Sequence, residues 1–215
     1  MTADGRVRVL LVDDHAVVRA GYRLLLQNAS EIEVIAEAAT GEAAYGCFVE
    51  LEPDVVVMDL SLPGIGGLEA IRRIIQRNGA ARILVFSMHE DVPFVEQALA
   101  AGARGYLTKR SAPHALVGAV QEVAAGRTYL DEALARELAL QKVRGEDTPL
   151  SGLSTREFEI FCLLAEGLSS SEIGKRLSLS AKTVANYSSQ LKNKLEVGTV
   201  AELTRLAIRH GIISA

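Results

Sequence analysis

Long apolar runs are missing from this chain. No stretch of its 215 residues approaches the roughly 18 consecutive apolar positions of a membrane-spanning helix. The opening MTADGRVRV lacks the apolar core of a secretion signal, so a cytoplasmic protein with no membrane partner is expected. Cysteine is scarce. Cys47 and Cys162 fall in helical patterns far apart, which reads as two buried reduced thiols and not a disulfide framework. No GxGxxG follows the first strand-like segment, which removes the dinucleotide-binding fingerprint. No period of 20–50 residues recurs, which argues against a repeat architecture. What is present is 49% hydrophobic and 23% charged residues. That is the balance of a soluble globular chain, long enough for one large domain or two small ones.

A net charge of −4 says little until it is divided. Residues 1–127 carry 12 Lys and Arg against 16 Asp and Glu, and residues 128–149 carry 3 against 5. Residues 150–215 reverse the balance, with 8 against 6. The change of sign suggests two domains with different partners.

The first part alternates two kinds of segment. VRVLLV, EVIAEA, DVVVMD, RILVFS and RGYLTK are short and rich in Val, Ile or Leu. Amphipathic stretches separate them, and one more follows. Strands alternating with helices of this length predict βαβ units and a five-stranded parallel sheet. Residues 128–149 read as a short helix and a linker, with the boundary near Pro149. The last part has no strand signal. Ser154 with Glu157, Ser169 with Glu172 and Thr199 with Glu202 have the spacing of capping boxes, and Ser180 opens a fourth helix. A small four-helix bundle over residues 150–215 is expected.

One segment poses a question. VVVMDLSLPG, at residues 55–64, ends a buried-looking strand in a carboxylate, Asp59. An unpaired buried carboxylate costs several kcal/mol. In an open parallel sheet, ligands bind beyond the carboxyl ends of the strands at a switch point. The first strand ends in Asp13 and Asp14, the third in Asp59, the fourth in Ser87, and the fifth in Thr108 and Lys109. Three converging carboxylates repel one another without a cation, and hard oxygen ligands suit Mg²⁺. A carboxylate can attack phosphorus and carry an aspartyl phosphate, with Mg²⁺ and Lys109 neutralising charge and Ser87 offering a hydroxyl. Asp13 alone would equally serve as the cap of the first helix.

At these residues the sequence resembles a known family. VDDH, MDLSLPG, SMHE and YLTKR occur in order over residues 7–127 and look like the receiver domain of a two-component response regulator. The resemblance implies a flavodoxin-like (CheY-like) α/β fold. It implies that Asp59 is the phosphoacceptor for a sensor histidine kinase, and that the chain is not itself an enzyme. It also implies that Asp14, Asp59 and the Ser61 carbonyl bind Mg²⁺ directly, with Asp13 acting more through water, and that Tyr106 is the switch aromatic that turns inward as Ser87 moves. Ser61 and His89, two places after Asp59 and Ser87, hold positions that influence phosphoryl lifetime in this family. A dehalogenase-type phosphatase also uses a strand-end Asp, but that class needs Asp-x-Asp. Here Leu60 and Ser61 follow Asp59, so its second acid is missing.

Residues 153–212 resemble the LuxR-type (NarL/FixJ) helix-turn-helix domain through LSTRE, AEGLSS, EIGKRL, LSAKTV and NKLEV. The resemblance implies that SAKTVANYSSQLKNKL enters the major groove of double-stranded DNA. Lys182, Thr183, Tyr187 and Lys194 are the expected backbone contacts, and Asn186 the expected base reader. The family often has a basic residue at Ala185, His at Tyr187 and an aliphatic at Ser188. A domain with a charge of only +2 should bind weakly as a monomer. Tight binding is then expected to need a homodimer, formed on phosphorylation through TVAELTRLAIRHG and reading paired half-sites.

Overall fold

The computed structural model describes residues 5–111, 113–144 and 148–213. Its first part alternates β1 (Val7–Val12), α1 (Ala16–Gln27), β2 (Ile32–Ala38), α2 (Gly41–Leu51), β3 (Val55–Met58), α3 (Gly67–Arg77), β4 (Ile83–Ser87), α4 (Val92–Ala100), β5 (Gly105–Thr108) and α5 (Pro113–Ala124). A short β6 (Tyr129–Leu130) and α6 (Glu132–Arg144) follow. The second part is helical: α7 (Thr155–Ala165), α8 (Ser170–Arg176), α9 (Ala181–Lys194) and α10 (Val200–Arg209). Among the described residues, no helix is long and apolar enough to cross a membrane.

The strands form one parallel sheet in the order β2-β1-β3-β4-β5-β6. Both faces are covered, which is why the strands read as unbroken apolar runs. All four side chains of β3 are fully buried. Alternation then sorts the strand residues. Leu10, Val56, Met58, Ile83 and Val85 join the core containing Phe48, Ile71, Ile74 and Phe94 from α2, α3 and α4. Val9, Leu11, Val57, Leu84 and Leu107 join Leu26 from α1 and Leu116 and Val120 from α5. Each such side chain contributes about 1.5–3 kcal/mol through burial. The chain leaves β1 for β2 on one side and β3 on the other, so the switch point lies between β1 and β3, where Asp13, Asp14 and Asp59 emerge.

The sheet has six strands where the sequence predicts five. β6 lies in the segment read as a helical linker. Two residues are too few to show a period-2 pattern, and the free edge of β5 recruits them. The Tyr129 amide donates to the Arg104 carbonyl and the Asp131 amide to that of Tyr106. Asp131 then starts α6, accepting from the Ala133 amide at 3.1 Å. Of the expected linker, residues 145–147 lie outside the described residues.

The helical caps follow from local chemistry. Ser154 and Ser169 form reciprocal capping boxes with Glu157 and Glu172. Thr199 accepts from the Glu202 amide, but the Glu202 carboxylate reaches the Gly198 amide, one residue earlier than a capping box requires. Ser180 accepts from the Thr183 amide at 3.0 Å.

The two parts share an apolar seam. Phe94 from α4 belongs to the same core as Leu150, Leu153, Phe158 and Phe161. Polar clasps flank it. Gln97 donates from one buried amide to the carbonyls of Leu150 and Leu153, each at 3.1 Å. The Gly64 amide donates to the Arg176 carbonyl at 2.8 Å. Arg156 donates across it to the Ile65 carbonyl at 3.4 Å, and is held within its own part by the Leu177 carbonyl at 2.8 Å and by Glu159 at 2.9 Å.

Candidate phosphoacceptor pocket and DNA-reading helix

The strand ends deliver the pocket. Asp13 is 1% exposed, Asp59 3% and Ser87 0%. Asp59 is not an orphan: Lys109, just past β5, places Nζ 2.6 Å from Asp59 Oδ2 and 2.6 Å from Asp13 Oδ2. Burial acts to lower the lysine's pKa. The facing Asp59 carboxylate and the bonds to Asp13 and Asp59 outweigh it, and the pKa ends above its ordinary value. Asp59 Oδ1 also accepts from the Ser61 amide at 3.3 Å.

Backbone spacing is what lets the loop after β3 turn so tightly. A Cβ on Gly67 would stand 2.1 Å from the Asp59 carbonyl oxygen, so only glycine lets α3 begin this close to the pocket.

One lysine faces two carboxylates, Asp13 and Asp59, and Asp14 stands next to Asp13. Ligand atoms of Asp13, Asp14 and His15 lie within 4.8 Å of one another. Asp14 Oδ1 is buried and makes no hydrogen bond, although His15 Nδ1 lies 2.7 Å away. A buried hard oxygen that makes no hydrogen bond and has the Asp13 carboxylate beside it fits a divalent cation of the Mg²⁺ type. Asp59 connects to this group through Lys109. Asp13 Oδ1 also accepts from the His15 amide at 2.8 Å, which fulfils the local turn role open to it in the sequence.

The β4–α4 loop closes one side. The His89 amide donates to Ser87 Oγ at 3.3 Å, and His89 Nε2 lies 3.1 Å from Ser61 Oγ. Tyr106 is fully buried, and its hydroxyl donates to the His89 carbonyl at 2.9 Å. Burial raises the phenol's pKa, with a Ser87 hydrogen bond opposing it. Thr108 Oγ1 lies 3.0 Å from Ser111 Oγ, and Ser111 Oγ donates to Asp131 Oδ2. The loop carrying Lys109 is thereby tied to the start of α6.

The expected DNA contacts fall into two groups on α9. Lys182 and Asn186 are exposed, as are Ala185, Ser189, Gln190 and Asn193. Thr183 is half-buried, with Oγ1 2.8 Å from Ser180 Oγ. Tyr187 packs against the core and faces a cavity that Glu69, Arg72 and Arg156 also line. Lys194 Nζ pairs with Glu157 Oε2 at 2.9 Å. The helix thus presents Lys182, Asn186 and Lys194 to solvent, Lys194 in an exposed ion pair with Glu157, and engages Tyr187 within the protein. The contacts of Gln97, Arg156 and Phe158 with the other domain carry no sequence motif; only their amphipathic positions mark them as inward-facing.

Comparison with known proteins gives concordant findings. Residues 9–121 match the response regulator receiver domain, and residues 151–207 match the bacterial regulatory proteins of the luxR family. The chain is similar to the response regulator UvrY of Escherichia coli K12, at 41% identity over 97% of each chain. It is also similar to the transcriptional activator protein ExaE of Pseudomonas putida, at 43% identity over 95% of this chain and 97% of that one. Among solved structures it resembles RcsB of Salmonella enterica serovar Typhimurium, bound to promoter P1flhDC in the presence of the phosphomimetic BeF3-. That match has a TM-score of 0.71 and 26% identity, and covers 94% of this chain and 98% of that one.

Proposed function

The chain belongs to the response regulators that join a receiver domain to a LuxR-type DNA-binding domain, transcriptional regulators of two-component signalling and not enzymes, and we propose that Asp59 is its phosphoacceptor. The donor is the phosphohistidine of a sensor histidine kinase. An Asp59 oxygen bonds to phosphorus as the phosphorus–nitrogen bond breaks, and the kinase imidazole leaves. The observation that carries this reading is Lys109 bridging Asp13 and Asp59 at the strand ends.

When bound, Mg²⁺ supplies charge neutralisation at the phosphoryl oxygens. Asp14, Asp59 and the Ser61 carbonyl would hold it, with Asp13 behind them. Lys109 can release Asp59 and follow the new negative charge. Ser87 Oγ–H can turn to a phosphoryl oxygen, which costs the His89 amide its acceptor. Phosphorylation adds about −1.5 to −2 charge, enough to re-order these few groups. The new state shifts a population of conformations by its differential contacts.

Its readout is DNA. The exposed side of α9, with Lys182 and Asn186 and their neighbours Ser189 and Asn193, is the surface for the major groove. Thr183 supports the first turn, where phosphate is bound. Tyr187 and Lys194 reach DNA only after leaving their present partners. A phosphorylation-induced homodimer would place two such helices about one turn of duplex apart, near 34 Å. RcsB bound to a promoter with BeF3- present supports this reading.

The test is phosphoryl labelling of the full chain with Mg²⁺. One phosphoryl group per chain is expected, with complete loss in Asp59→Asn and on chelation of the metal. Labelling of Asp59→Asn at the wild-type level would sink the assignment.

A further inference from the structure

Three rings run in a column from the pocket into the DNA-binding domain. The imidazole of His89 stacks on Phe94, with centroids 3.8 Å apart and an interplanar angle of 11°. Phe94 meets Phe158 of α7 edge-on, at 5.1 Å and 83°. Stacked and edge-on contacts of this kind are attractive beyond their area of contact. The pocket end of the column is fixed by polar bonds: His89 Nε2 to Ser61 Oγ, and the His89 carbonyl to the Tyr106 hydroxyl. The Ser61 amide in turn donates to Asp59. Burial lowers the pKa of His89, the Asp59 carboxylate opposes this and Lys109 adds to it.

We propose that the DNA-binding domain controls how fast Asp59 gains and loses its phosphoryl group, with Phe158 as a positioning residue acting through Phe94 and His89. The proposal rests on the phosphoacceptor reading of Asp59. With Phe158 in place, Phe94 is held on both sides and keeps the imidazole against Ser61. Asp59 and Lys109 then stay nearly sealed from solvent, with side chains 3% and 7% exposed. Without that edge contact, Phe94 and His89 swing away together and small molecules enter. Gain and loss should both quicken. In the gain step with acetyl phosphate, an Asp59 oxygen bonds to phosphorus, the bond from phosphorus to the acetyl oxygen breaks, and acetate leaves. In the loss step, a water oxygen bonds to phosphorus and the bond to Asp59 breaks. Inorganic phosphate leaves, the carboxylate returns and one proton passes to solvent.

The experiment uses the full chain with Mg²⁺ and acetyl phosphate, following aspartyl phosphate formation and its decay after donor removal. Phe158→Leu should raise both rate constants about three- to tenfold, inside the roughly two- to thirtyfold that mutations along chains of packed side chains produce. Phe161→Leu is the control. Phe161 packs on Phe158 at 6.4 Å in the same domain core and, among the described residues, makes no ring contact with Phe94. It should leave both rates at wild type. Gln97→Met removes the clasp to Leu150 and Leu153 from the receiver side, and should accelerate both steps as Phe158→Leu does. Unchanged rates in folded Phe158→Leu overturn the proposal, as does equal acceleration by Phe161→Leu. Should Phe158→Leu not fold, wild-type rates in Gln97→Met overturn it instead. A wild-type chain that takes no label at all sinks the phosphoacceptor reading itself, so the two failures are distinguishable.

Discussion

The acidic pocket and the outer face of α9 use polar side chains in opposite ways. In the pocket, Asp13, Asp59, Ser87 and Lys109 are buried and few, and each is held by a named partner. On α9, Lys182, Asn186, Ser189, Gln190 and Asn193 are exposed and side by side. Burial raises the value of every pocket interaction, because low dielectric strengthens a made contact and penalises an unmade one. Exposure on α9 keeps each contribution small and leaves the helix free to meet a partner. Loss of one pocket residue should therefore be severe, and loss of one reading residue graded.

The largest test of that contrast is Lys109→Met. It strands two buried carboxylates, and breaking such a buried pair costs about 3–5 kcal/mol. Chemical denaturation at neutral pH should show this loss, with part recovered on adding Mg²⁺. The wild-type pairing has its own pH signature. Because the folded chain holds Lys109 above its ordinary 10.5, the stabilisation is fully present below 10.5 and is lost as pH rises through the higher folded value. An alkaline melting series should show this fall in wild type and not in Lys109→Met.

On the reading helix, Asn186→Ala should cost about 1–3 kcal/mol of discrimination at one base position. Lys182→Ala should weaken all sequences alike and lower the salt slope by about 1. Binding titrations at several salt concentrations separate the two. An effect of Asn186→Ala as severe as that of Lys109→Met would break the contrast.

Between the two regions lies Glu159, on the seam. Burial raises its carboxyl from 4.5 to about 7, with the Arg156 guanidinium and the Glu69 amide opposing and the Glu69 carboxylate adding. The stabilisation it lends when protonated is complete below 4.5 and vanishes as pH rises through about 7. Between pH 8 and 6 stability should rise by roughly 1 kcal/mol, and Glu159→Gln should abolish that slope in thermal unfolding. The smallest effect is local. Ser180→Ala removes the cap of α9 and should cost about 1 kcal/mol of stability.

The same contrast decides what the sequence reveals. Strand-end polar residues after apolar runs stand out because burial forbids them without a reason, so Asp13, Asp59, Ser87 and Lys109 were legible as a pocket. Capping chemistry is equally local, and Ser154, Ser169 and Ser180 act as their spacing implies. The outer face of α9 was legible only as part of a helix. Among the described residues, its division into unpaired Lys182 and Asn186, ion-paired Lys194 and inward Tyr187 depends on neighbours from α7 and α3. β6 was hidden because two residues carry no period. The seam was hidden for a deeper reason: Phe94, Gln97 and Phe158 look like ordinary interior residues of their own domains, and nothing local distinguishes a core position from one that meets another body.

The glycine at the foot of α3 has an evolutionary consequence. Because any side chain at Gly67 would collide with the main chain of Asp59, drift at that site is closed regardless of which signal or promoter the lineage adopts. A substitution elsewhere on α3 can be absorbed by moving side chains, whereas one here must displace the main chain beneath Asp59 itself.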